Sequence, residues 1–113
     1  MTLTEKHCVP CEGGIPPMDP ESAQEYLTQV NDWKLLENAT RIQRTFKFSN
    51  YVNTLDFVNL VAELSEAEWH HPDITFGWGS ATVLYYSHKI KGLHENDFIM
   101  AAKVDEIYDN CEK

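Results

Sequence analysis

The sequence predicts an α+β fold: one four-stranded antiparallel sheet covered on one face by helices, in the order α-β-β-α-β-β-α. Three observations predict it. Apolar residues recur at helical spacing in three separated windows, near residues 20–30, 50–69 and 94–111. The stretches between them have strand texture, most clearly "RIQRTFKF", where apolar and polar positions alternate. A chain of 113 residues, 42% of them hydrophobic, fits one compact domain with a core of its own.

Residues 1–18 read as an N-terminal extension and 19–113 as the domain, because "CEGGIPPM" supplies glycine and proline without periodicity. Asp19-Pro20-Glu21 then starts a helix, with an N-cap aspartate, proline at the first helical position and an acid in the first turn. Ala23, Tyr26, Leu27 and Val30 form its apolar face, and Asn31 ends it. Trp33 to Glu37 reads as a strand and "ENAT" as a turn. Ile42, Arg44, Phe46 and Phe48 share one face of the next strand, and Arg41, Gln43, Thr45 and Lys47 the other. That makes a half-buried hairpin with one odd arginine on its apolar side.

Ser49 or Asn50 caps the second helix, which runs to about Trp69. Its expected buried stripe is Phe57, Leu60, Val61 and Leu64, widened by Leu55, Val58 and Ala62. Its polar stripe takes in Asp56, Asn59, Glu63, Glu66 and His70, so Glu66 and His70 share a face. From Ile74 to His88 the texture is β again, with Gly77 and Gly79 bracketing a tight turn around Trp78 and His88 ending the fourth strand. The third helix starts near His94 and runs towards Cys111. Met100, Ala101, Val104, Ile107, Tyr108 and Cys111 make its core face, and one turn further back the same stripe points Asp97 inward.

The formal net charge is -9, from 18 acidic and 9 basic residues. No basic stripe is present to neutralise phosphates, which argues against binding nucleic acid or an anionic membrane. No apolar run approaches the ~20 residues needed to span a bilayer, and the N-terminus lacks the apolar segment of a secretory signal. Three cysteines, an odd count, speak against a disulfide framework and for a reducing cytoplasm. The expected partners are small molecules or other proteins.

The segment "EAEWHHPD", residues 66–73, carries the chemistry. Pro72 disfavours helical geometry at His71, so the helix ends at or before it and the two imidazoles point in different directions. Histidine titrates near neutral pH and moves protons there. His88 and the inward-facing Asp97 are the other candidates. Each has a plainer reading alone: a surface histidine pair, a solvated Glu66, a strand-end His88, an Asp97 that serves only its helix start. Glu66, His70 and His88 also compose a carboxylate and two imidazoles, a set that zinc accepts, without the spacing of a zinc motif.

Taken together, Glu66-x3-His70-His71-Pro72-x5-Trp78-x9-His88-x8-Asp97 resembles the signature of the pterin-4a-carbinolamine dehydratases, also known as dimerisation cofactors of a homeodomain transcription factor. The likeness runs over about residues 20 to 108 and includes "RTFKFSNY", "LDFVNLVAELSEAE" and "IKGLHENDFIMAAKVDEI". It departs from the family at His94, where serine or threonine commonly caps the last helix and histidine is a poorer cap.

The resemblance implies dehydration of 4a-hydroxytetrahydropterin, the pterin left by an aromatic amino acid hydroxylase, with the pterin as substrate and no cofactor or metal. It implies that His70, His71 and His88 line the site. His70 and His88 would be acid and base, and His71 would orient the ring. Glu66 would tune the imidazoles, Asp97 would hold His88 or the local loop, Trp78 would be an apolar wall, and Pro72 would support the site. A homodimer or homotetramer is expected, since pairing removes a bare sheet edge. The alternative is a non-catalytic protein-binding scaffold of the same fold. The pair Cys8-x2-Cys11 lies outside the resemblance and, without a second half-site, is a weak metal or redox motif.

Overall fold

The computed structural model describes residues 2–9 and 16–113. Asp19 caps α1 (Pro20–Leu27), accepting from the Ser22 amide at 2.8 Å. β1 (Lys34–Leu36), β2 (Arg41–Lys47), β3 (Asp73–Phe76) and β4 (Ser80–Tyr85) form one antiparallel sheet in the order β1-β2-β4-β3. The register pairs Phe46 with Ala81 and Arg44 with Val83 on β2–β4, and Ile74 with Val83 on β3–β4. Period two then sends Ile42, Phe46, Ala81, Val83 and Tyr85 to one face, where all are buried. α2 (Tyr51–Glu68) and α3 (Glu95–Asn110) lie on that face. The other face is polar, with the Thr45 and Thr82 hydroxyls 2.9 Å apart.

The odd arginine has a partner. Arg44 reaches Asp105 of α3 at 2.7 Å, and Asp105 also accepts from the Trp33 indole at 2.7 Å and the Asn31 amide at 2.9 Å. Burial pushes the Asp105 carboxyl above its ordinary range, and these three donors only partly oppose that.

Three expectations need correction. Leu60 is 42% exposed, and the buried line of α2 is Thr54, Phe57, Val61 and Ser65. The two hydroxyls hide their polarity by donating to Asn50 O and Val61 O at 2.8 and 2.7 Å, so the stripe can turn away from Leu60. His88 does not end a strand: β4 stops at Tyr85, and His88 sits in a loop closed by the Ser87–Gly92 bridge. His94 caps α3 well, its Nδ1 accepting from the Asn96 amide at 3.0 Å while Asp97 accepts from the His94 amide at 3.0 Å.

Residues 2–9, within the expected extension, lie against α3. Leu3 is buried, and Lys6 meets Glu95 at 2.9 Å.

Tyr85 carries a stability prediction. Its ring is fully buried, and its hydroxyl has no hydrogen-bond partner among the described residues. The nearby Ser65 hydroxyl donates to Val61 O, and burial drives the phenol's ionisation upward. An unmade buried hydrogen bond costs about 1–3 kcal/mol. Tyr85→Phe is therefore expected to leave stability unchanged or raise it by up to about that amount. Urea unfolding measures this, and a clear loss of stability would refute it.

Candidate active site

The end of α2 organises the site. Trp69 adopts a left-handed conformation (φ 52°, ψ 46°), and the His70 amide returns to Ser65 O at 3.1 Å. This six-to-one closure is unusual on a tryptophan, which pays a steric cost of roughly 1–2 kcal/mol that glycine would avoid. It turns the two histidines apart. His70 goes inward, with its side chain 11% exposed, and His71 stays outside at 48%.

Their partners differ from expectation. His70 Nε2 lies 2.6 Å from Asp97 Oδ1 and its ring stacks parallel to Tyr85, with centroids 5.9 Å apart. His71 Nε2 meets Glu66 Oε1 at 2.8 Å. Glu66 thus serves His71, because the turn at Trp69 breaks the helical face that would have carried it to His70. Asp97 holds His70 and not His88. Its fully buried carboxylate also accepts from Ser87 Oγ at 2.9 Å and from the His94 amide at 3.0 Å. Three donors from three chain segments satisfy the charge and fix its direction.

His88 stacks on Tyr86 at 4.2 Å and 5°, and the Arg41 guanidinium lies 4.0 Å over the Tyr86 ring. His70, His71 and His88 nevertheless line one open cavity of about 570 Å³, with Trp69, Glu68, Asn96, Lys89, Cys8 and Val9. That is room for a flat bicyclic heterocycle. Trp78 is not among the lining residues. It is 68% exposed in the β3–β4 turn. Pro72 is half-buried between His71 and β3 and does not line the cavity.

Glu66, His70 and His88, the set considered for zinc, each engage a different partner. Among the described residues no cluster of three or more His, Cys, Asp or Glu is placed to hold a metal. Cys11 lies outside the described residues.

Glu68 lines the cavity, and the sequence pattern did not single it out. Burial opposes its charge, but the Cys8 amide, His7 and Lys103 outweigh that and hold its carboxyl below the ordinary 4.5. A lowered folded pKa means that its stabilising contribution is complete above 4.5 and lost as the pH falls through the folded value. Hydrogen-exchange protection of the Cys8 amide is expected to fall across that acid window. Protection that is flat with pH would contradict the assignment.

Comparison with known proteins agrees with this geometry. The family model described as Pterin 4 alpha carbinolamine dehydratase matches residues 16–107. A relative from Methylococcus capsulatus, provisionally named pterin-4-alpha-carbinolamine dehydratase, is 57% identical over 106 residues, covering 94% of this chain and 93% of its own. One from Halorhodospira halophila with the same provisional name is 56% identical over 107 residues, covering 95% and 98%. Among solved structures, a transcriptional coactivator/pterin dehydratase from Brucella melitensis aligns with a TM-score of 0.77 at 25% identity, covering 81% of this chain and 98% of its own. A pterin dehydratase-like protein identified as a RuBisCO assembly factor in the alpha-carboxysome aligns at 0.61 and 25%, covering 69% and 90%. With a fold, a signature and relatives of matching length in agreement, the chain belongs to the pterin-4-alpha-carbinolamine dehydratase family.

Proposed function

We propose that this protein is an enzyme that removes water from a 4a-hydroxytetrahydropterin, giving quinonoid dihydropterin. The observation that carries the reading is a half-hidden imidazole, His70, backed by the buried Asp97 carboxylate and opening on a cavity that two further histidines line. The reaction breaks the C4a–O bond, takes the proton from N5 and closes the C4a–N5 double bond. The proton on the departing oxygen and the proton from N5 balance, so the reaction needs an acid and a base but no redox partner.

In this reading His70 is the base. Asp97 fixes the Nε2–H tautomer, leaves Nδ1 to accept, and stabilises the imidazolium that forms. His88 protonates the leaving hydroxyl, and His71, oriented by Glu66, binds the ring. The test follows freshly generated 4a-hydroxytetrahydropterin by absorbance. Acceleration above the spontaneous rate supports the reading, and a folded protein that gives none sinks it.

A cytoplasmic setting beside an aromatic amino acid hydroxylase, which produces this substrate, goes with the reading. A homodimer or homotetramer does too. β1 and β3 are edge strands with no strand partner on their outer side among the described residues, and Tyr51, Val52, Phe76 and Trp78 are exposed at the β3 side and the start of α2. That apolar surface also favours a second reading, a protein-binding scaffold, in line with the assembly role named for the carboxysome neighbour. The scaffold reading expects partner binding that survives loss of His70 and His88.

A further inference from the structure

One wall of the His70 cavity comes from outside the sheet and its helices: Cys8 and Val9 line it. Two side chains at the cavity hold this segment in place. Glu68, the last residue of α2, accepts from the Cys8 amide at 2.8 Å through Oε1 and meets His7 Nδ1 at 2.8 Å through Oε2. Asn96 of α3 grips Val9 at two points: its Oδ1 accepts from the Val9 amide at 3.0 Å, and its Nδ2 donates to the Val9 carbonyl at 2.6 Å.

These are interior fastenings. Asn96 is 1% exposed and the Glu68 side chain 9%. One carboxamide pairing with both backbone groups of a residue imitates a strand neighbour, so the backbone is located without using the side chain. Val9 is left 56% exposed, and Trp69, at 75%, lines the same cavity. Apolar groups kept bare on the walls of a polar cavity gain when a flat ring covers them.

We infer that residues 6–9 form a strap that completes the pterin site. Val9 supplies the apolar wall that the family resemblance implied for Trp78, and Glu68 and Asn96 are positioning residues that hold the strap at the histidines. The inference rests on the pterin reading, and its test separates the two.

Cys8 sits in the strap, whereas Cys111 follows α3 at the other end of the chain. Alkylation by iodoacetamide, mapped by peptide mass spectrometry, therefore compares a thiol in the site with one away from it. A dihydropterin is added to the full chain, and its binding is read from tryptophan fluorescence in the same sample. Saturating ligand is expected to slow alkylation of Cys8 several-fold and leave Cys111 unchanged. Val9→Ser, at an exposed position that should not disturb folding, is expected to raise KM by about tenfold, more than it lowers kcat. Glu68→Gln should move KM in the same direction. Binding that leaves Cys8 as reactive as before, or a Val9→Ser enzyme with unchanged KM, overturns the strap alone. No binding at all overturns the pterin site and the strap with it.

Discussion

Replacing Asp97 with asparagine is expected to lower kcat/KM for dehydration by about 10²-fold or more, within the range that positioned acid–base groups contribute. The carboxamide keeps the size of the side chain and can still accept from Ser87 or the His94 amide, so the fold should survive. What it removes is the negative charge 2.6 Å from His70 Nε2. His70 then loses the group that fixes its tautomer and stabilises its protonated form. The structural alternative predicts a different pattern, in which activity falls only in proportion to the folded fraction. Steady-state kinetics beside circular dichroism decides between them. A fully folded Asp97→Asn protein with wild-type kcat/KM would remove Asp97 from the mechanism.

The largest stability effect is expected at the opposite end of α3. Asp105→Ala strips Arg44 of its partner at 2.7 Å and leaves it only the solvent-exposed Asp32 carboxylate at 3.8 Å, while the guanidinium stays largely buried against the Phe46 and Tyr108 rings. Removing the close partner from a buried ion pair costs up to about 3–5 kcal/mol. The same physics says the intact pair is no large asset. Burial already pushes the Asp105 carboxyl upward despite its three donors, which means that its charged form is costly where it lies. The double change Arg44→Met with Asp105→Leu is therefore expected to recover most of the loss. Denaturant unfolding of wild type, single and double variants checks this. A single variant that loses under 1 kcal/mol, or a double variant no better than the single, would contradict the account.

Much of the fold was legible because local rules agreed with one another. Asp19-Pro20 starts α1, the alternation that includes Ile42, Arg44 and Phe46 defines the inner face of β2, and Gly77–Gly79 turns β3 into β4. Leu60 misled because periodicity ranks residues by apolarity, and Thr54 and Ser65 are buried by satisfying their hydroxyls on the helix backbone. His94 misled for a related reason: its ring nitrogen accepts as serine oxygen would.

The site was legible as a set of residues and not as a set of pairs. Helical spacing placed Glu66 beside His70, but the left-handed Trp69 hands His70 to Asp97 and leaves Glu66 to His71. No local pattern foretells that conformation on tryptophan. Asp97 was readable as inward-facing from the stripe of α3, though which histidine it meets depends on packing across 27 residues. Cys8 was visible only as half of a weak Cys-x2-Cys pair and Val9 not at all, because their place at the cavity is set by backbone amides donating to Glu68 and Asn96, which almost any residue at those positions could supply.

The central claim is that His70, not the fold alone, drives the loss of water. It is tested most directly by single-turnover absorbance on 4a-hydroxytetrahydropterin, with wild type, His70→Ala and Trp78→Ala side by side. The account predicts a fast wild type, a Trp78→Ala protein close to it, and a His70→Ala protein slower by about 10²–10⁴-fold in the catalysed step. Equal rates for wild type and a folded His70→Ala protein would contradict it.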